Sequence, residues 1–243
     1  MSNKSKYIRP LGWFTFSIGI IIGAILAIII VWGDLEGSLF TTGIKAKSSL
    51  RTLKCPAIIT PGEVAEISAV LRNPTDKDFE RYTQAHITDG FVSLIRESKE
   101  RIPVAANSRQ KIAWNITADD AAYERIILFR IYINARYPKF PSLGGTCGVV
   151  RLNIDNLTGG QVFWLMLGSA LGLLISGRML TRKNRHLTRG ERNTNNSMTA
   201  LAVVIFLAIG IGSFGYWIFG LICLACALLL SGIIIGRQFA FTL

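Results

Sequence analysis

The chain has 243 residues, half of them hydrophobic and 17% charged, with a formal net charge of +12. Soluble domains of this length carry about a quarter charged residues, so the composition excludes a uniformly solvated surface and points to lipid. The positive excess does not point to nucleic acid, because such grooves interleave cations with stacking aromatics and the basic segment 178–192 contains no Phe, Tyr or Trp.

Residues 1–9 hold Lys4, Lys6 and Arg9 without an acid, the charge pattern of a cytoplasmic N-terminus. Residues 10–33 contain no ionisable side chain. About 20 apolar residues cross the roughly 30 Å of hydrocarbon in a bilayer, so this run is read as the first transmembrane helix. Trp13 and Trp32 are 19 positions apart, about 28 Å along a helix, and are expected to anchor its two ends at the headgroup boundary. The run exceeds the roughly 7–15 apolar residues of a signal peptide and no small-x-small cleavage pattern precedes Asp34, so it is expected to persist as an anchor.

Residues 34–155 carry 17 basic and 14 acidic side chains, the balance of an ordinary solvated domain. Period-two alternation predicts strands over 51–59, 64–72, 79–88, 91–97, 109–116, 124–136 and 147–154. Turn chemistry separates them at Thr60-Pro-Gly-Glu, Asn73-Pro-Thr-Asp, Asp89-Gly, Ala106-Asn-Ser and Pro141-Ser-Leu-Gly-Gly. About seven short strands at this spacing favour a β-sandwich.

Cys55-Pro56, then Pro61-Gly62-Glu63, an alternating strand ending in Asn73 and a later strand with Trp114 give residues 50–155 a resemblance to prokaryotic surface immunoglobulin-like domains. That resemblance implies an immunoglobulin-like sandwich with an adhesive or scaffolding tendency and no chemistry of its own. The antibody pattern of paired cysteines on the second and sixth strands is absent. In such sandwiches the first and last strands are often neighbours, which makes Cys55 and Cys147 the expected disulfide outside the cytoplasm, with two buried free thiols as the alternative.

Residues 156–177 form the second expected span, again without an ionisable residue. The loop 178–197 is basic, with Arg178, Arg182, Lys183, Arg185, Arg189 and Arg192 against Glu191 alone. It reads as cytoplasmic, and these six cations are expected to meet anionic lipid headgroups at about 1 kcal/mol each. The uncharged stretch 193–236 would be about 66 Å long as one helix, twice what a bilayer accommodates. It is therefore expected to fold back near Ser213–Tyr216, giving spans over 198–214 and 216–236 and a cytoplasmic C-terminus over 237–243. Trp164 and Trp217 then join Trp32 as anchors at the outer interface. Glycines four apart, Gly19 with Gly23, Gly168 with Gly172 and Gly232 with Gly236, are candidates for close helix packing, within the bundle or against another chain.

No span offers an ionisable side chain for coupling or acid–base work, which weighs against a pump, carrier or intramembrane protease. His86 lies on a predicted strand without a nucleophile motif, Asp119 and Asp120 read as a solvated turn, and Cys223 and Cys226 in the fourth span read as small packing residues. Neither a catalytic set, a metal site nor a cofactor motif is expected. The fold expected is thus four transmembrane helices with both termini in the cytoplasm and an extracytoplasmic all-β immunoglobulin-like sandwich between helices one and two, in the plasma membrane. The function expected is that of a non-catalytic accessory or scaffolding subunit whose partners are the bilayer and other membrane proteins. A surface receptor for adhesion or ligand binding is the first alternative, and a component of a transporter or membrane enzyme the second.

Overall fold

The computed structural model describes residues 5–40, 46–90, 94–135, 140–182 and 189–240. They fall into two compact units: Met1–Val31 with Phe163–Leu243, and Trp32–Val162.

The first unit is helical. Its apolar runs wind into α1 (Ser5–Leu39), α2 (Gly159–Arg182), α3 (Arg189–Ser213) and α4 (Trp217–Ala240). All four are long and apolar enough to cross a membrane. Leu26, Ala27 and Ile30 of α1, Ala170 and Leu174 of α2, and Leu201, Ile205 and Ala208 of α3 are buried, whereas Leu228 and Leu229 of α4 are 73% and 70% exposed. Every helix reaches beyond the uncharged stretch that announced it. Hydropathy registers where polar side chains begin, and a helix continues through them as long as its backbone hydrogen bonds do. The basic segment 178–197 is in consequence partly helical, with α2 running to Arg182 and α3 starting at Arg189.

The reversal between α3 and α4 is a Schellman motif. Tyr216 N–H donates to Ile211 O at 3.3 Å and Gly215 N–H to Gly212 O at 2.7 Å. Gly215 takes φ +78°, the left-handed conformation that glycine adopts without a side-chain clash.

The second unit is a two-layer β-sandwich. Strands β1 (Ser48–Ser49), β2 (Ile58–Ile59), β3 (Val64–Arg72), β4 (Phe79–Asp89), β5 (Leu94–Val104), β6 (Arg109–Thr117), β7 (Ile126–Ile133) and β8 (Leu143–Arg151) follow in chain order. One sheet has the order β1-β8-β7-β4-β5, with β2 also pairing β8, and the other is the antiparallel pair β3-β6. The order β8-β7-β4 opposed by β3-β6 has the layering of an immunoglobulin-like fold, in which G-F-C faces B-E. Alternate residues of both sheets close one core: Ile67, Ala69 and Leu71 of β3 and Ile112, Trp114 and Ile116 of β6 meet Ile127, Phe129 and Ile131 of β7. Trp114 and Phe129 pack with ring centroids 5.2 Å apart.

Two strand expectations and one turn expectation are corrected. Residues 51–59 are not one strand, since the chain turns at Arg51–Thr52, makes a lone bridge from Lys54 to Ser68 of β3, and pairs with β8 only at Ile58–Ile59. Pro56 lacks an N–H and cannot extend a ladder. Of the expected strand 91–97, residues 94–97 belong to the longer β5, paired with β4 from Leu94 to Val104, and 91–93 lie outside the described residues. The Leu143-Gly-Gly run is strand rather than turn, because β8 begins at Leu143. Its glycines answer to crowding: a Cβ on Gly144 would lie 2.7 Å from the Ala46 Cβ, and one on Gly145 2.9 Å from Leu53.

Candidate functional site

Cys55 and Cys147 form the disulfide of the sandwich. Cys147 is buried on β8, whereas Cys55 lies on the irregular segment before β2. The bond closes a sequence separation of 92 residues, worth about 4 to 5 kcal/mol in the chain-entropy account. Residues 32–39, the last turns of α1, pack against the same strand. A Cβ on Gly33 would sit 2.9 Å from Gly148 O, one on Gly37 2.5 Å from the Cys147 carbonyl carbon, and one on Gly148 2.0 Å from Gly33 O. Glycine at all three positions is what lets helix backbone and strand backbone touch. Arg130 Nη1 donates to Phe40 O at 3.0 Å.

The other exit from the sandwich is equally tied down. Thr158 and Gln161 form a capping box, with Thr158 N–H donating to Gln161 Oε1 at 2.9 Å and Gln161 N–H to Thr158 Oγ1 at 3.3 Å. Glu63, from the turn before β3, accepts from Gly159 N–H at 2.7 Å and from Thr60 N–H at 3.1 Å. A carboxylate there also complements the positive end of the α2 dipole. Thr60 in turn donates to Leu157 O at 2.6 Å. The start of α2 is fixed by these groups at Gly159, three residues after the uncharged run begins.

This end of the sandwich carries an apolar rim. Val64, Leu94, Ile95, Tyr123, Ile154 and Leu157 are all exposed. They share one end because Leu94 pairs Asp89 and Val64 pairs Thr117, and because Arg96 of β5 forms an ion pair with Asp120, just after β6, at 3.2 Å.

The outer face of β4 and β5 is polar. Cross-strand neighbours Tyr82 and Arg101, Gln84 and Lys99, and His86 and Glu97 lie opposite one another. Glu97 receives hydrogen bonds from Lys99 and Gln84, which hold its carboxyl below the usual carboxylate range and raise the Lys99 ammonium. His86 Nε2 lies 3.3 Å from Glu97 Oε1. The charged residues of β5 also discourage edge-to-edge pairing with another sheet. Asp119–Asp120 is not the solvated turn expected of it: Asp120 is buried, accepts from Thr117 N–H at 2.7 Å and pairs with Arg96. Arg81, inside the sheet, donates to Asn134 O at 2.7 Å and Pro141 O at 2.8 Å, and burial lowers its pKa.

Within the helical unit the glycine pairs divide. A Cβ on Gly19 would be 3.0 Å from Leu174 and 3.1 Å from Ala170 O; one on Gly23 would be 3.2 Å from Ile205. Gly168, Gly172 and Gly232 have open space where a Cβ would stand, and Gly236 is helical but its surroundings lie outside the described residues. Gly168, Ser169, Gly172 and Ser176 form an exposed small-residue stripe on α2, flanked by exposed Leu165 and Ile175. Sequence spacing missed the crossing of Gly12 of α1 with Gly177 of α2, where a Cβ on Gly177 would be 2.8 Å from Gly12 O. The two residues belong to different helices, and four-residue spacing cannot pair them.

Trp32 and Trp164 are exposed, and the Trp32 indole N–H donates to Glu36. Trp13 and Trp217 are half-buried. Arg178 is also half-buried and donates to the Thr199 hydroxyl. Arg182, Arg189 and Arg192 are helical, but their side chains, like Lys183 and Arg185 altogether, lie outside the described residues. Cys223 is partly buried and Cys226 exposed, so Cys226 faces outward rather than filling the bundle.

No protein-family model matches the chain. No curated protein matches it either. Among solved structures, the CARDB domain of the PF1109 protein from Pyrococcus furiosus is similar at 9% identity and a TM-score of 0.31, over 42% of this chain and 90% of that one. A PapD-like domain of human CEP192 is similar at 11% identity and a TM-score of 0.24, over 49% and 95%. A cycloisomaltooligosaccharide glucanotransferase of Paenibacillus is similar at 12% identity and 0.30, over 46% of this chain but only 15% of the enzyme.

Proposed function

We propose that the chain is an accessory or scaffolding subunit of a membrane assembly. In this reading α1–α4 span the bilayer with both termini in the cytoplasm, and the sandwich stands outside. The open stripe Gly168-Ser169-Gly172-Ser176 on α2 carries it. Lipid tails gain nothing from small residues, whereas a second helix can bring its backbone close only where side chains are small. The inward glycines Gly19 and Gly23 hold this chain's own bundle, which leaves the α2 stripe, with Gly232 of α4, for neighbours. Orientation is supported by the positive charge of residues 1–9 and 178–192, by a disulfide that persists in an oxidising compartment, and by the apolar rim at the end of the sandwich that leads into α2. Trp13, Trp32, Trp164 and Trp217 serve as interface anchors, and the cations from Arg178 to Arg192 meet anionic headgroups.

The test is affinity purification of the full chain from its own membranes in mild detergent. Partner chains are expected to co-purify with the unaltered protein and to fall at least tenfold with Gly168→Leu and Gly172→Leu together. Recovery of free monomer only, from both forms, would sink the reading.

A surface receptor is the second reading, favoured by the polar outer face around Tyr82, Gln84, His86, Glu97, Lys99 and Arg101. Deleting residues 36–155 separates the two. A receptor loses surface binding while its helices insert and assemble as before; a scaffold loses its partners as well.

A further inference from the structure

We infer that the helical unit holds one anionic phospholipid, its acyl chain in the crevice between α2 and α3 and its phosphate on Arg178. The inference rests on the membrane reading above and adds a stoichiometric ligand to it. The crevice has a volume of about 380 Å³, within the range of small-ligand sites. Phe16 and Leu174 are buried and form its floor, while Ile175, Val203 and Leu207 are half exposed and form its lips.

Its lining is apolar except at one end, where Arg178 and Thr199 meet. The Thr199 hydroxyl takes one guanidinium N–H, and a guanidinium carries five. The hydroxyl therefore steers Arg178 without exhausting it. Among the described residues no carboxylate lines the crevice, so the cation there calls for an anion from outside. From Arg178 to Leu171 the crevice runs seven residues along α2, about 10 Å. That is most of the roughly 15 Å that one leaflet's hydrocarbon measures. A cation at headgroup depth above an apolar slot about 10 Å long has the polarity of a phospholipid. A partner helix would bring apolar surface to the slot but no charge for Arg178, and inorganic phosphate would leave the slot empty. The neighbouring basic segment, +5 over residues 178–192, raises the local concentration of anionic lipid.

Native mass spectrometry of the full-length chain, delipidated in mild detergent and mixed with dioleoyl phosphatidylglycerol or dioleoyl phosphatidylcholine, tests this. One phosphatidylglycerol per chain is expected to survive collisional activation, with phosphatidylcholine at least tenfold weaker. Arg178→Gln should bring phosphatidylglycerol down to the phosphatidylcholine level, and Arg178→Lys should keep most of the preference, because an ammonium also pairs with phosphate. Ala202→Phe, which fills the slot, should lower retention of both lipids, and Arg237→Gln on α4 should change neither. Equal retention of the two lipids by the unaltered chain would overturn the inference. So would retention unchanged by both Arg178→Gln and Ala202→Phe, displacement of phosphatidylglycerol by millimolar inorganic phosphate, or a protein cross-linked from Val203 in place of lipid. A chain that needs detergent for extraction yet shows no lipid preference defeats this inference alone, whereas a chain recovered in the soluble fraction without detergent defeats the membrane reading itself.

Discussion

The two units of this chain hide opposite things. In the sandwich the large apolar side chains, Ile127, Phe129, Ile131 and Trp114, are inside, and the charges of β5 are outside. In the helical unit large apolar side chains such as Leu228 and Phe219 are exposed, and glycines such as Gly12, Gly19 and Gly177 have no free room for a Cβ. Water drives the first arrangement, because burying apolar area gains about 25 cal/mol per Å². In the membrane reading proposed above lipid removes that drive, so helices associate through close backbone approach instead. Glycine serves both units, but in the sandwich it admits the end of α1 onto β8, and in the bundle it admits helix to helix.

The largest effect that would break this comparison is expected at the disulfide. Replacing Cys55 and Cys147 together by Ser should destabilise the sandwich by about 4 kcal/mol. The denaturant midpoint can be followed by Trp114 fluorescence in a chain whose other four tryptophans are Phe; an unchanged midpoint would mean that the cross-link adds nothing to a core already sufficient. Next comes Gly148→Val, where the new side chain would meet the Gly33 carbonyl and backbone cannot move aside. About 3 kcal/mol is expected, and Gly148→Ala should already cost part of it. Asn73→Ala ranks third at about 2 kcal/mol, since the two Asn73 Nδ2 hydrogens go to the Lys77 and Ala105 carbonyls, each at 2.9 Å.

The smallest effect is one of pH. Glu97 is held below the usual carboxylate range by Lys99 and Gln84, so its contribution is complete above the unfolded value of about 4.3 and is lost as pH falls through the lower folded value. Glu97→Gln should make stability less dependent on pH in that acid window. An identical slope for both proteins would show that the pair is too well solvated to matter.

Four apolar runs, their charged flanks and the turn near Ser213–Tyr216 were all legible in the sequence, because each depends on composition over a few adjacent residues. The Cys55–Cys147 pairing was legible once a sandwich was assumed. The dual role of the β8 glycines was not. Gly144 and Gly145 read as a turn because glycine signals both turns and close approach, and only the neighbouring elements decide which. Gly33 and Gly37 repeat the four-residue spacing of the other pairs, yet they face a strand, which spacing along one helix cannot reveal. Nor could sequence tell that Gly19 and Gly23 face inward while Gly168 and Gly172 face outward, since that depends on how each helix is rotated in the bundle.

The outward stripe of α2 is the feature on which the proposed role depends, and a photo-activatable residue at Ser169, with a second at the buried Ala170 as control, addresses it directly in native membranes. A discrete protein adduct from position 169 and none from 170 is the predicted outcome. Adducts to lipid alone from position 169 would contradict the account.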